Sequence, residues 1–283
     1  MRRFVRDLWS SVRGYGKAPI FADYAFLEPR RAGREKGRPL VSIVTCVYNA
    51  GDTLQRTMDS VRQQTYPNIE YVVVDGASTD ASPDVIARNM DLVDVLLSEP
   101  DEGLYDAFNR GVAVSTGDYV AVLNADDAIA PDHIERSMAA LIESGADFSY
   151  GDVEMEEEGP SGPVVRFRPA DRDYARTLEY GTTEMHHPTM VAHRRIFERI
   201  GLFRTSLKIT ADFDWYIRLN KAGFKGVYSG VVSRMKAGGV SNARQELSIL
   251  EGSYVAFRNG GSLIGIARFW GPLLLRRIYH RLK

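Results

Sequence analysis

The chain has 283 residues, 44% hydrophobic and 26% charged, which is ordinary for a globular protein with a sizeable core. Its single cysteine, Cys46, excludes an internal disulfide, and the apolar run VSIVTCV around it predicts a buried structural thiol rather than a nucleophile. The formal net charge of −1 hides an acidic middle between two basic ends, and that acidic middle argues against nucleic-acid binding.

The two basic ends also carry apolar residues. Residues 1–38 hold ten Lys/Arg against four Asp/Glu, and residues 258–283 hold six against none. The apolar run 263–275 is shorter than the ~20 residues that cross a bilayer. With Trp9 and Trp270 among the arginines, both ends are predicted to lie on an anionic membrane surface, at the cytoplasmic face of the plasma membrane. The alternative is that they pack on the body of the protein with a solvated basic face.

A globular domain is predicted at residues 39–245, between a basic extension at 1–38 and a basic amphipathic helical segment at 246–283. Its first half, 39–127, alternates strands and helices four times. The predicted strands are 41–47, 69–74, 93–97 and 119–123. The first predicted helix buries Leu54, Met58 and Val61. The next two predicted helices cover residues 82–89 and 103–114. This order predicts an α/β fold with a doubly wound, mostly parallel sheet and helices on both faces.

The second half, 128–245, is less regular and is predicted to be a smaller mixed half of the domain. A strand at 147–158 with a partner at 164–167 reads as a hairpin. Its acidic run favours a solvated hairpin edge over a metal site. A helix follows at 212–222. The histidines of this half match no zinc spacing, so they predict no metal centre. They are His186, His187 and His193.

Polar side chains follow three of the predicted strands. Asn49 follows the first strand, Asp75 follows the second, and residues 124–127 (NADD) follow the fourth. Loops at the carboxyl ends of parallel strands meet at one rim, where ligands bind in open α/β sheets. Carboxylate oxygens there suit Mg²⁺ or Mn²⁺ holding a diphosphate. A solvated turn capping the helix that starts near Pro131 is the other interpretation.

Two common nucleotide-binding loops are absent from the sequence. No Gly-x-Gly-x-x-Gly follows a predicted strand, which argues against a dinucleotide dehydrogenase. No Gly-Lys-Ser/Thr is present either, so no phosphate-binding loop of that kind is expected. A metal at Asp126 would supply the charge that a diphosphate needs.

Four ordered motifs then resemble a known family. They are SIVTCVYNAGDTLQRTMDSVRQQTYPNIEYVVVDGASTD, DEGLYDAFNRG, GDYVAVLNADD and ADFDWYIRL. Over roughly residues 39–242 the chain resembles the family 2 glycosyltransferases. That resemblance implies a GT-A fold, a nucleotide-sugar donor, a divalent cation and inversion at the anomeric carbon. It also favours a UDP-sugar and a role in bacterial surface-polysaccharide synthesis.

The resemblance assigns a donor role to nine positions. Asn124 and Asp126 stand in the Asp-x-Asp metal motif, but Asn124 replaces the first acid, so Asp126 is the main expected ligand. Phe108 stands where many members have an arginine. The nine donor-side residues are Thr45, Tyr48, Asn49, Asp75, Asp101, Asn109, Asn124, Ala125 and Asp126.

The resemblance also assigns Asp212 as the catalytic base, with Ala211 in place of the usual preceding acid. Helix geometry agrees, because Asp212 and Asp214 lie about 200° apart and cannot both face the cleft. Asp214 stands four residues before Arg218, the spacing of a surface ion pair. A helix N-terminal acid without catalytic role is the alternative for Asp212. The residues expected beside the acceptor are Tyr105, His186 and Trp215.

These residues can be interpreted in terms of three functions. The favoured one is an inverting transferase that moves a sugar from a nucleotide-sugar to a hydroxyl of a glycan or polyprenyl-linked saccharide. The second is a non-catalytic nucleotide-sugar or carbohydrate-binding protein, which loss of Asp126 or Asp212 would have favoured. The third is a sugar-phosphate nucleotidyltransferase, but residues 48–51 lack the Gly-rich basic loop that it needs.

Overall fold

The computed structural model describes residues 25–26, 35–159, 162–179, 183–237, 245–261, 263–264, 266–267 and 270–272. Within them the strands are β1 Ala25–Phe26, β2 Val41–Val47, β3 Ile69–Asp75, β4 Val95–Ser98, β5 Tyr119–Asn124, β6 Ala128–Ile129, β7 Phe148–Gly159, β8 Gly162–Arg168, β9 Val191–His193 and β10 Gly226–Lys236. The helices are α1 Leu54–Arg62, α2 Ser82–Arg88, α3 Leu104–Val114, α4 His133–Ser144, α5 Tyr174–Glu179, α6 Arg194–Ile200, α7 Ala211–Lys221 and α8 Gln245–Arg258. A short 3₁₀ turn covers His187–Thr189.

The described strands form one sheet in the order β1-β4-β3-β2-β5-β9-β7-β10-β6, with β8 paired to β7. Strands β4, β3, β2 and β5 are mutually parallel. All seven residues of β2 are buried, as continuous apolar runs in parallel sheets require. The predicted doubly wound α/β architecture is therefore confirmed.

Helices cover both faces of this sheet. Along β2, Val44 contributes to one apolar layer and Ile43 to the other. The layer of Val44 includes residues of α3 and α7, and the layer of Ile43 includes residues of α1 and α4. Helix α3 lies so close to β2 that a Cβ at Gly111 would stand 2.2 Å from Val44 Cγ1. Cys46 is buried in the sheet, and burial raises the pKa of its thiol, as expected for a structural cysteine.

The second half extends the same sheet. Strand β9, three residues long, is antiparallel to both β5 and β7 and joins the two halves. Strands β7 and β10 are parallel, and β7 and β8 form the predicted hairpin. Acidic side chains of β7 form ion pairs rather than a metal cluster. These pairs are Arg234–Glu154 at 2.8 Å, Arg56–Glu156 at 2.9 Å and Arg166–Glu157 at 2.8 Å.

The terminal segments contact the domain where they are described. Strand β1, inside the predicted extension, pairs with β4 at the edge of the sheet. The ring of Trp270 lies against Gly252 of α8, where an added Cβ would meet it at 2.6 Å. Trp270 therefore packs on α8, inside the predicted C-terminal segment, and Trp9 lies outside the described residues. Among the described residues, no helix is both long and apolar enough to cross a bilayer.

Candidate active site

The loops after β2 and β3 are tied together at one rim of the sheet. The backbone N–H of Thr79 donates to Asn49 Oδ1 at 2.9 Å, and the N–H of Asn49 donates to Ser78 Oγ at 2.9 Å. Asn49 takes a left-handed conformation with φ of 49°, which asparagine tolerates better than most residues. Tyr48 beside it is 68% exposed. The predicted donor residues Tyr48 and Asn49 therefore lie at the open rim.

Two acidic residues of the donor side lie on neighbouring loops. Asp75, at the end of β3, accepts from Ser98 Oγ at 2.8 Å and from the Ser78 N–H at 3.1 Å. Asp101 packs against Gly76, where a Cβ would stand 2.5 Å from Asp101 Oδ2. Burial raises the pKa of Asp101, although the Gly103 N–H opposes the shift by donating to Oδ1 at 2.8 Å. Asp101 therefore lies directly beside the residue that follows Asp75, and Asp75 itself is buried.

The end of β5 carries the predicted metal motif. Asn124 Nδ2 donates to Asp127 Oδ2 at 3.0 Å, while Asn124 Oδ1 is buried with no protein partner. Burial raises the pKa of Asp126 and raises that of Asp127 further, where the Asp126 charge adds to it. Ala125, which stands between Asn124 and Asp126 in the chain, is buried. The desolvated carboxylate of Asp126 and the unpartnered Oδ1 of Asn124 are both groups that a bound cation would stabilise.

The carboxylate of Asp212 lies in the first turn of α7 and is 26% exposed. Its Oδ1 accepts from the Phe213 N–H at 2.8 Å. It also lies 3.1 Å from Tyr105 Oη, whose single proton is shared with the Ile209 carbonyl at 2.6 Å. Burial raises its pKa, but the donors around it, His187 first, outweigh burial and hold the pKa below the ordinary value for aspartate. Asp212 is therefore an ionised carboxylate at neutral pH, and Tyr105, which the sequence predicts beside the acceptor, lies within hydrogen-bond distance of it.

His187 connects this carboxylate to the metal motif. Its Nδ1 lies 3.5 Å from Asp212 Oδ2, and its Nε2 lies 3.1 Å from Asn124 Nδ2. The neighbouring His186, predicted beside the acceptor, has its ring 3.2 Å from Glu184, and its place beside an acceptor stays a prediction. The sequence carried no sign of the role of His187, because Asn124 is 63 residues away along the chain.

Three other predicted site residues serve packing. Thr45 is fully buried in β2, and its hydroxyl accepts from Tyr71 Oη at 3.1 Å. Asn109 is buried in α3 and exchanges two hydrogen bonds with the backbone of Phe203, at 2.8 and 2.9 Å. Trp215 stacks on Phe197 at 4.9 Å, and its indole N–H donates to the Gly201 carbonyl at 3.1 Å. The polar group of each residue is thus satisfied inside the core, and contact of these three residues with a ligand stays a prediction.

The structure corrects one expectation for Asp214. It pairs with Arg218 as the spacing predicts, at 2.8 Å, but the pair is buried rather than on the surface. Asp214 is fully buried and also pairs with Arg204. Arg218 in turn donates to the carbonyl of Leu202 at 2.8 Å. These contacts fix α7 on the loop before it, so the two aspartates of α7 divide into one at the cleft and one in the core.

A carboxylate from α8 holds the start of α7. Glu251 accepts from the backbone N–H groups of Lys208, Ile209 and Thr210, at 2.8, 2.9 and 3.1 Å. Thr210 is the residue that precedes α7, so Glu251 satisfies donors at the positive end of the helix. Glu251 belongs to the predicted C-terminal segment 246–283, whereas residues 208–210 belong to the predicted domain 39–245. The contact therefore crosses the predicted boundary between the two.

Solved structures define the class of this fold. The mannosyltransferase PcManGT from Pyrobaculum calidifontis, solved with GDP-Man and Mn²⁺, matches with a TM-score of 0.59 and 22% identity, covering 83% of this chain and 69% of that one. TarS 1-349 of S. aureus matches with a TM-score of 0.56 and 17% identity, covering 76% of this chain and 65% of that one. The fold is the GT-A fold of glycosyltransferases.

Sequence relatives define the family. A family profile described as "Glycosyl transferase family 2" matches residues 42–201. The PGL/p-HBAD biosynthesis glycosyltransferase of Mycobacterium bovis (strain BCG / Pasteur 1173P2) is 30% identical over 253 residues, 86% of this chain and 95% of that protein. The glycosyltransferase AglE of Haloferax volcanii is 26% identical over 202 residues, 66% of this chain and 63% of that protein. The chain belongs to glycosyl transferase family 2 and is a glycosyltransferase.

Proposed function

We propose that the protein transfers a sugar, with inversion, from a nucleotide-sugar donor to a hydroxyl of a glycan or polyprenyl-linked saccharide. The observation that carries this proposal is the position of Asp212. Its ionised, partly exposed carboxylate is joined through His187 to Asn124 of the metal motif. A base on one side of the cleft and a diphosphate site on the other are the parts that a single in-line displacement needs.

In this reaction the acceptor oxygen attacks the anomeric carbon of the donor and gives its proton to Asp212. A carbon–oxygen bond forms as the bond from the anomeric carbon to the phosphate oxygen breaks. The nucleoside diphosphate leaves with the bonding electrons. The N–H of Phe213 keeps the carboxylate aimed by donating to its Oδ1, and Tyr105 Oη lies 3.1 Å from the same oxygen. General-base action of this kind contributes about 10²- to 10⁴-fold to a rate.

Asp126 and Asn124 are the residues that would hold Mg²⁺ or Mn²⁺. Among the described residues, no three His, Cys, Asp or Glu side chains come together as a metal site. The unpartnered Asn124 Oδ1 and the Asp126 carboxylate fit a cation whose remaining ligands are diphosphate oxygens and water. Such a cation neutralises charge on the leaving group. With the diphosphate at the cation, the nucleoside of the donor would lie beside Tyr48, Asn49, Asp75 and Asp101.

The donor base is proposed to be uracil. TarS of S. aureus is known in complex with UDP and with UDP-GlcNAc, whereas PcManGT is known with GDP-Man. Both nucleotides therefore occur on this fold, and the preference for UDP rests on the family resemblance. The panel of donors in the experiment below includes both.

The acceptor is proposed to be lipid-linked and part of bacterial surface-polysaccharide synthesis at the cytoplasmic face of the membrane. Helix α8 presents Leu250, Tyr254 and Phe257 to solvent, with 60%, 50% and 57% of each residue exposed. Their spacing of four and three residues places them on one side of the helix. The six basic and no acidic residues of 258–283 suit an anionic leaflet beside this apolar stripe.

The experiment is hydrolysis and transfer by the purified protein over a panel of UDP-sugars and GDP-mannose, with Mn²⁺ or with a chelator. One donor should be turned over by the wild type, and the chelator should abolish that turnover. Asp126→Ala should lose the response to Mn²⁺. Asp212→Asn should lower the rate about 10²-fold or more while binding the nucleoside diphosphate as before. Glu143→Gln, the same carboxyl-to-amide change at an exposed position of α4, should match the wild type.

The outcomes separate the transferase from a binding protein. Donor binding without turnover in the presence of lipid extract, equal in all variants, would replace the transferase with a non-catalytic sugar-nucleotide protein. Metal-independent turnover that still requires Asp212 would remove the cation from the proposal and keep the base.

A further inference from the structure

His187 lies between the predicted catalytic base, Asp212, and Asn124 of the predicted metal motif. It opens the 3₁₀ turn after an extended segment, and its side chain is 13% exposed. One ring nitrogen faces the carboxylate of Asp212 at 3.5 Å, and the other faces the amide of Asn124 at 3.1 Å. Contacts of this length at catalytic groups tighten when substrate binds.

The hydrogen-bond network assigns the tautomer of this ring. Asn124 Nδ2 donates to Asp127 Oδ2, so the amide nitrogen, not the oxygen, points toward Asp127 and His187. Nε2 of His187 then accepts a hydrogen bond, because its neighbour is a donor. The ring proton therefore belongs on Nδ1, the nitrogen that lies 3.5 Å from Asp212 Oδ2. Reversing the amide would place its oxygen against the carboxylate of Asp127.

The ring is also held from behind. Phe108 meets it edge to face at a centroid distance of 5.5 Å. The turn that carries it is anchored by Thr189, whose hydroxyl donates to the His186 carbonyl at 2.8 Å and accepts from the Gly151 N–H at 3.1 Å. Thr189 is fully buried. A ring fixed on three sides can hold its neighbours in a set geometry.

We propose that His187 is a positioning residue for both Asp212 and Asn124, with Nδ1 toward the carboxylate and Nε2 toward the amide. Through Nδ1 it directs the second carboxylate oxygen of Asp212, whose first oxygen accepts from the Phe213 N–H and lies near Tyr105 Oη. Through Nε2 it turns the amide of Asn124 so that Oδ1 faces the donor side. This inference rests on the proposed function, because it assigns Asp212 as the base.

Two variants of His187 separate its two nitrogens. His187→Asn keeps an amide donor near the position of Nδ1, whereas His187→Gln places an amide near Nε2 and removes the donor to Asp212. We expect His187→Gln to lower kcat about 10- to 100-fold with an unchanged KM for the donor. His187→Asn should retain most of kcat and raise the donor KM. Thermal unfolding of both variants checks that each is folded.

A double-mutant cycle and an NMR measurement complete the test. In an Asp212→Asn background, His187→Gln should cause little further loss, because its effect acts through the carboxylate. Long-range ¹H–¹⁵N spectra of histidine-labelled wild type above pH 8 should show His187 protonated at Nδ1, and Asp212→Asn should shift that tautomer. Equal losses in both backgrounds, or an Nε2–H ring, would overturn the inference. A wild type that turns over no donor but shows the Nδ1–H ring would instead remove the proposed function.

Discussion

His133 opens helix α4 with its ring fully buried. Burial, aided by the charge of Arg136, lowers its pKa to about 3. Since the unfolded pKa is about 6.5, its contribution to stability is complete above that pH and is lost as the pH falls toward 3, by about 1.4 kcal/mol per pH unit. We expect His133→Leu to flatten the free energy of unfolding between about pH 6.5 and pH 4, measured by urea denaturation. Parallel curves for variant and wild type would contradict this.

Single side chains also show where the sequence analysis worked and where it did not. Asp212 was found because helix periodicity and the motif agree on it. Asn109 and Thr45 occupy motif positions, yet a polar side chain in a motif can satisfy the backbone as well as a ligand. Only the placement of Phe203 opposite Asn109 shows that the backbone satisfies this amide. His187 was missed because its partners are distant in sequence.

At the level of the element, α7 is fixed by the buried group of Asp214, Arg204 and Arg218. Removing one member of such a group leaves buried charge without its partner and costs about 3–5 kcal/mol. We therefore expect Asp214→Asn to lower the midpoint of urea unfolding markedly. Asp212→Asn, two residues away at the cleft, should keep the midpoint and lose activity. If Asp214→Asn lost activity while the midpoint of urea unfolding stayed the same, Asp214 would have a role at the cleft and not in stability.

The elements of the first half were predictable because their strands are unbroken apolar runs buried on both faces. Strand β10 was not predicted, since Ser229 and Gly230 interrupt it and its register with β7 shifts between Tyr228 and Val232. Strands β6 and β9 have two and three residues and carry no periodicity of their own. Their pairing depends on neighbours that are brought close only by the complete sheet.

At the level of the whole molecule, the apolar stripe of α8 should govern membrane binding. We expect Leu250→Ser/Tyr254→Ser/Phe257→Ser to weaken binding to phosphatidylglycerol vesicles about tenfold or more, because about 0.8 kcal/mol is lost for each CH₂ no longer buried in lipid. Sedimentation with vesicles at low and high salt measures this. Donor hydrolysis in solution should be unchanged.

The hairpin β7–β8 offers a matched control for that stripe. It carries three exposed apolar residues on another part of the surface, and their replacement by serine should leave vesicle binding unaltered. They are Val164, Val165 and Phe167. Equal losses of vesicle binding in the two triple variants would indicate non-specific adsorption through any exposed apolar surface. Binding that disappears with salt and ignores the stripe would assign it to charge alone.

The contact of Glu251 with residues 208–210 has a practical consequence for anyone who shortens this chain. The segment from 246 onward reads in the sequence as an appendage, and a crystallographer would be tempted to delete it. Deletion would strip three backbone N–H groups of their shared acceptor just ahead of Asp212. Loss of activity in a truncated protein would then not test membrane binding, because the truncation also removes a contact that holds the start of α7. Point substitutions on the outer side of α8 are the sound alternative.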